Sequence, residues 1–202
     1  MCERLAERGI KNPAVLDTLM RVPRHLFVDE AIATRAYEDV ALPIGEGQTI
    51  SQPFVVARMT ELLLADGPKQ RVLEVGTGSG YQAAVLAELV DVVFTVERIQ
   101  SLYLKAKARF RALDYRNVNV RHSDGSWGWR SQGPFDGIVV TAAPEHLPDA
   151  LFEQLAPGGT IVAPVGSQYG NQQLTVITHT AAGFIETRSL DVRFVPFLSG
   201  KH

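Results

Sequence analysis

Two rhythms of apolar and polar positions run through this chain. From Val72 onward, apolar runs of strand length alternate with stretches of helical periodicity. Val72–Val75, Val92–Glu97, Val118–Arg121, Phe135–Thr141 and Thr160–Val165 read as strands. The run Phe135-Asp136-Gly137-Ile138-Val139-Val140-Thr141 is nearly all apolar, as buried parallel strands are. Gln82–Leu89, Ile99–Leu113 and Leu151–Leu155 read as helices, the second with Leu102, Leu104, Ala106, Phe110 and Leu113 on its apolar side. Pro157-Gly158-Gly159 closes the third. Leu174–Thr180 and Thr187–Val195 alternate apolar and polar, which predicts an antiparallel pair joined around Ala182-Gly183. Strand–helix alternation followed by a hairpin defines an α/β fold: a doubly wound, mostly parallel sheet with a C-terminal antiparallel hairpin.

The first third follows other rules. Residues 1–35 read as helical pieces forming an N-terminal helical cap. Asn12-Pro13 opens one of them, with Val15, Leu16, Leu19 and Met20 at helical spacing and Pro23 ending it. Phe27, Ile32 and Tyr37 are further apolar anchors, and His25 is expected at the surface. Within residues 38–53, the run from Ala41 to Pro53 carries two Gly and two Pro and shows little periodicity, which predicts an ordered loop of about a dozen residues. Ser51-Gln52-Pro53 then opens a helix that either Ser51 or Gln52 caps, with Phe54, Val55, Met59, Leu62 and Leu63 as its buried stripe and Gly67-Pro68 as its end.

Composition removes several classes of function. A chain of 202 residues, 46% hydrophobic and 21% charged, is one globular domain that needs no disulfide or metal to fold. We read 1–202 as that domain, with 1–52 as cap and loop and 53–202 as the α/β core. A net charge of −2 gives no electrostatic footprint for nucleic acid. No apolar run reaches the roughly 18 residues a membrane span needs. The expectation is a cytoplasmic monomer with neither membrane nor nucleic-acid partner. The single Cys2 and the five His show no metal-ligand spacing, so no metal is expected.

Candidate chemistry lies at the carboxyl ends of the predicted strands, where doubly wound sheets bind ligands. Glu74-Val75-Gly76-Thr77-Gly78-Ser79-Gly80-Tyr81 joins the first strand to its helix. A dinucleotide fingerprint would place its third glycine at position 81, which is Tyr, while the glycine falls at Gly80. A tyrosine there crowds a pyrophosphate but can border a smaller, phosphate-free ligand; a tight turn with no ligand is the competing reading. Glu97 lies 19 residues after Gly78 (97 − 78), where an acid can accept from both ribose hydroxyls or simply cap a helix. Asp124-Gly125 can accept from an adenine amino group and make room for its ring, or form a plain turn. Thr141 ends the fourth strand. Trp127 and Trp129 fit a cleft or a core equally well.

These pieces support a specific comparison. Val22-Pro23-Arg24, Tyr37-Glu38-Asp39, Leu42-Pro43-Ile44-Gly45, Gly47-Gln48-Thr49-Ile50-Ser51-Gln52-Pro53, Val72–Tyr81, Val96-Glu97-Arg98, Asp124-Gly125, Phe135-Asp136, Leu155-Ala156-Pro157-Gly158-Gly159 and Arg193-Phe194-Val195-Pro196 occur in that order. Together they resemble the protein-L-isoaspartate O-methyltransferases, over residues from about 10 to about 197. The resemblance implies a Rossmann-like fold and S-adenosyl-L-methionine as cofactor, with S-adenosyl-L-homocysteine as product. It also implies isoaspartyl peptides and proteins as substrates. Methylation of the free α-carboxyl would then lead through a succinimide back to aspartate. It makes Ser51 the active-site residue. Glu74, Gly76, Thr77, Gly78, Gly80, Tyr81, Glu97, Asp124, Gly125 and Thr141 are then expected at the cofactor, and Ile50, Ser51, Gln52, Val195 and Pro196 at the substrate. The chain departs from the pattern at Ser123, where many members have Gly.

The chemistry requires little of the protein. A carboxyl with a pKa of about 4 is ionised at neutral pH and needs no general base. Alignment and exclusion of water are the remaining tasks. Methyl transfer to another carboxylate or a small molecule is the nearest alternative, and a non-catalytic nucleotide-binding module a second. A nicotinamide dehydrogenase is disfavoured by Tyr81.

Overall fold

The computed structural model describes all 202 residues. Helices α1 (Cys2–Glu7) and α2 (Pro13–Arg21) lead into two short 3-10 turns at Arg24–Phe27 and Glu30–Arg35. Asn12 caps α2 by accepting from the backbone N–H groups of Ala14 and Val15, as the Asn-Pro pair predicts. His25 is exposed, as expected, but so is Met20, which leaves the predicted apolar stripe of α2.

The segment read as a loop is a hairpin. Strands β1 (Leu42–Gly45) and β2 (Gln48–Ile50) pair antiparallel around Glu46 and Gly47. Gly45, Glu46 and Gly47 all have positive φ, which is the twist a tight hairpin turn demands. Two glycines in three residues hid two short strands as an apparent loop. Helix α3 (Pro53–Leu63) follows and ends four residues before Gly67. Neither Ser51 nor Gln52 caps it with a side chain. The Phe54 N–H instead donates to Asp39 Oδ1 (2.9 Å), a cap supplied from 15 residues away.

The core then alternates β3 (Arg71–Val75), α4 (Tyr81–Ala87), β4 (Val92–Glu97), α5 (Gln100–Ala112), β5 (Val118–His122), β6 (Phe135–Val140), α6 (Asp149–Phe152), β7 (Leu155–Gly166), β8 (Gln172–Thr180) and β9 (Gly183–Val192). The seven strands lie in the order β5-β4-β3-β6-β7-β8-β9. The pairs from β5 to β7 are parallel, while β7–β8 and β8–β9 are antiparallel. The fold is therefore the expected Rossmann-like α/β sheet with a terminal antiparallel hairpin. Pro157-Gly158-Gly159 lies within β7 and does not close a helix, and Leu104 is exposed on α5. The chain order reverses at β3, whose neighbours are β4 and β6, and such a switch point opens a crevice at the carboxyl ends of the strands.

Burial fixes cap and core together. One apolar cluster joins Leu5, Val15, Leu19 and Phe27 of the cap to Tyr81, Ala84 and Val85 of α4. A second packs α3 and α4 on one face of the sheet, through Met59, Leu63, Val72 and Leu86. After β9 the chain crosses back over the strand ends, where Ala143 N–H donates to the Val195 carbonyl and Phe197 N–H to that of Ala143. No helix is long and apolar enough to cross a membrane.

Candidate active site

A cavity opens at the switch point between β3 and β6. The glycine turn Gly76–Ser79, Glu74, Tyr81, Glu97, Gly125 and Thr141 line it from the core side, and Ile50, Ser51, Val195, Pro196 and Phe197 from above. The turn is shaped by its neighbours. Gly76 has φ +101°, and a Cβ there would fall 2.4 Å from Thr141 Oγ1. The Thr141 hydroxyl in turn donates to the Gly76 carbonyl (2.5 Å). Ile44 of the β1–β2 hairpin sits over Gly78, so the hairpin roofs the turn.

Three backbone N–H groups of this turn are already spent. Gly76 and Thr77 donate to the Val96 carbonyl, and Gly78 to Glu97 Oε2 (2.8 Å). A phosphate cradle needs such groups free and aimed at the ligand. What the turn presents is a close, uncharged wall, which suits a ligand without phosphate. Glu97 also accepts from Ile99 N–H (2.9 Å), and each of its two oxygens keeps a lone pair for a hydroxyl donor. A carboxylate at the end of β4, a glycine wall and the apolar Ile99, Phe197 and Leu198 fit the ribose and ring of an adenosyl group.

Beneath the turn lies a fully buried relay. Thr77 and Thr95 share a hydrogen bond (2.6 Å), and the Thr95 hydroxyl lies 2.5 Å from Glu74 Oε2. Glu74 Oε1 has no partner within the protein. Burial pushes the Glu74 carboxyl up to about 8, against a smaller opposing effect of the Thr95 hydroxyl. The side chain is therefore neutral at pH 7 and can donate as well as accept. Thr95 was not foreseen, although a polar residue inside the apolar run Val92–Val96 is the available signal.

Three expected cofactor or substrate residues lie outside the cavity lining. Gly80, at φ +89°, faces Phe110 of α5, where a Cβ would come within 2.7 Å of the ring. That position keeps α5 against the turn. Asp124 is buried beside Gly125, and its Oδ1 accepts from the N–H and hydroxyl of Ser126. Its Oδ2 accepts from Gly200 N–H (2.5 Å). Burial opposes ionisation of Asp124, but these donors outweigh it and hold the carboxyl below the usual range. Gln52 lines the outer groove instead and donates to the Asp39 carbonyl (2.7 Å).

Ser51 occupies the wall between two spaces. It lines the cavity, and it lines an outer groove bounded by Arg8, Asp39, Phe54 and Val192–Val195. Thr49, Thr141 and Val195 are shared between the two spaces as well. The groove is bordered on one side by the end of β2 and on the other by irregular chain past β9. No cluster of three His, Cys, Asp or Glu side chains stands ready for a metal ion.

A Rossmann-like sheet with a cavity at its switch point, beside an open groove, is the frame on which methyltransferases of the Rossmann-like class are built. The family model for protein-L-isoaspartate(D-aspartate) O-methyltransferase matches residues 1–202, and the chain belongs to that family. Protein-L-isoaspartate O-methyltransferases of Hahella chejuensis and Dechloromonas aromatica are 58% and 59% identical over 201 residues. These matches cover 99% of this chain, and 94% and 92% of the relatives. Among solved structures, a protein-L-isoaspartate O-methyltransferase superposes with a TM-score of 0.87 at 27% identity, over 97% of this chain and 65% of that longer one. The Plasmodium falciparum protein-L-isoaspartate O-methyltransferase in complex with S-adenosyl-L-homocysteine gives 0.84 at 28%, covering 98% and 96%.

Proposed function

We propose that Ser51 aligns the substrate carboxylate at the opening between groove and cavity. The enzyme is an S-adenosylmethionine-dependent methyltransferase acting on L-isoaspartyl residues of damaged proteins, a repair reaction. The observation that carries the reading of its site is the position of Ser51 on both spaces at once. Its hydroxyl is not spent on capping α3, so it can donate to a carboxylate oxygen.

Bound in the cavity, S-adenosylmethionine supplies a methyl group activated by its sulfonium. Glu97 would accept from the ribose hydroxyls, the Gly76–Gly78 turn would border the chain that carries the sulfur, and Gly125 would leave room for the ring. Ile50, Val195 and Pro196 keep water from the carboxylate, which raises its reactivity. The groove offers main-chain edges of β2 and Arg193–Val195 to an extended peptide, which tolerates varied flanking sequence. The protein works as a cytoplasmic monomer on isoaspartyl proteins, without metal and without nucleic acid; the net charge of −2 supports the absence of a nucleic-acid partner.

The test compares methyl incorporation from labelled cofactor into an isoaspartyl peptide and its aspartyl twin. Incorporation is expected in the first only. Ser51→Ala should lower kcat/KM for that peptide roughly ten- to 150-fold with cofactor affinity nearly unchanged. A lower melting temperature with normal kinetics would return Ser51 to a purely structural role.

A further inference from the structure

Arg24 has no exposed surface, although it carries a full charge. None of the chain's ion pairs includes it. Its Nε donates to the Ala36 carbonyl in the cap (2.7 Å), and its Nη2 to the Ser51 carbonyl (2.7 Å). The guanidinium lies over the Tyr81 ring, 4.7 Å from its centroid, and Tyr81 lines the cofactor cavity. Nη1 and the Tyr81 hydroxyl have no hydrogen-bond partner.

An isolated guanidinium taken out of water carries a heavy desolvation penalty, and an apolar side chain of similar volume fills such a space without it. What the apolar side chain cannot do is tie cap, Ser51 and Tyr81 together through one rigid, planar fork. The residues after Ser51 are tethered by Asp39, through Gln52 Nε2 and the Phe54 N–H. The tether on Ser51 itself comes from Arg24.

We infer that Arg24 is a positioning residue: it sets Ser51 against the wall of the cofactor cavity and so governs alignment of the acceptor carboxylate. This rests on the alignment role proposed for Ser51. A residue acting through Ser51 has no further effect once the Ser51 hydroxyl is gone. One that merely supports the fold adds its effect independently.

A double-mutant cycle separates the two. Wild type, Ser51→Ala, Arg24→Met and the double variant are assayed for methylation of an isoaspartyl peptide, with cofactor affinity measured by calorimetry. Arg24→Met is expected to lower kcat at least tenfold, with cofactor Kd within about threefold of wild type. The double variant should fall within about threefold of the slower single one. Losses that multiply, or a folded Arg24→Met with wild-type kcat, would overturn the inference. Should Arg24→Met not yield folded protein, Arg24→Lys, which keeps a donor and the charge, enters the same cycle under the same criteria. Wild-type kinetics in Ser51→Ala alone would overturn the Ser51 reading, and with it any action through Ser51. A slow Ser51→Ala beside a multiplicative double variant would overturn only the role of Arg24.

Discussion

Glu97 is asked to hold two things at once. Its carboxylate already fixes the N–H groups of Gly78 and Ile99, and its remaining lone pairs face the cavity. Glu97→Ala removes the acceptor for a ribose and leaves two backbone donors without a partner. Cofactor affinity should weaken roughly ten- to 150-fold, about 1.5–3 kcal/mol, while the fold is kept. Calorimetric titration of the variant with S-adenosylmethionine checks this, and an unchanged affinity would remove Glu97 from the site. Asp124 illustrates the opposite case. Read along the chain it is a free acceptor after β5, yet Oδ1 already takes the N–H and hydroxyl of Ser126, and Oδ2 takes Gly200 N–H from 76 residues away, which leaves one lone pair on Oδ2.

The glycine turn and the end of β6 meet through one tight contact, at Thr141 just past the strand. Gly76 combines a positive φ with a space already filled by Thr141 Oγ1 at 2.4 Å from any added Cβ. Gly76→Ala therefore carries both backbone strain and a clash. About 1–3 kcal/mol of destabilisation is expected, with loss of cofactor binding as the turn shifts. The Thr141→Ala change deletes the clashing hydroxyl but not the strain. The double variant should thus recover part of the lost melting temperature, a non-additivity that thermal melts of the four proteins detect. Strict additivity would mean that the turn moves away from β6 instead. At the same scale, the β1–β2 hairpin acts as a rigid roof. Its glycines are the means by which its turn closes.

For the molecule as a whole, Glu74 makes stability depend on pH. Its folded pKa is raised to about 8 from an ordinary 4.5. Between those values the folded state holds a proton that the unfolded state has lost. This contribution is fully present below about pH 4.5, falls as pH rises, and is gone above about pH 8. Glu74→Gln keeps an acceptor for Thr95 and cannot ionise. Relative to wild type, the variant should gain stability from pH 5 to pH 8, by an amount on the order of a few kcal/mol. Denaturant titrations at the two pH values measure the difference, and other titrating groups cancel between the proteins. A constant difference would show that the Glu74 carboxyl ionises normally.

The one-dimensional pattern determined the parts of this protein that depend on neighbours in sequence. The apolar runs of β3, β4 and β6, the glycine turn ahead of α4 and the acid ending β4 follow from local periodicity and backbone freedom. Ser51, Ile50, Val195 and Pro196 were legible through resemblance, and the fold brings these four to one cavity wall from opposite ends of the chain. Only the tertiary structure decided what depends on partners far apart along the chain. Asp39 caps α3, Thr95 links the glycine turn to Glu74, Gly200 occupies Asp124, and Arg24 is drawn from solvent to hold Ser51. Each of these is a hydrogen bond across 15 to 76 residues. Hydrophobic periodicity reports which face of an element is buried, but not which polar group will find which partner once it is.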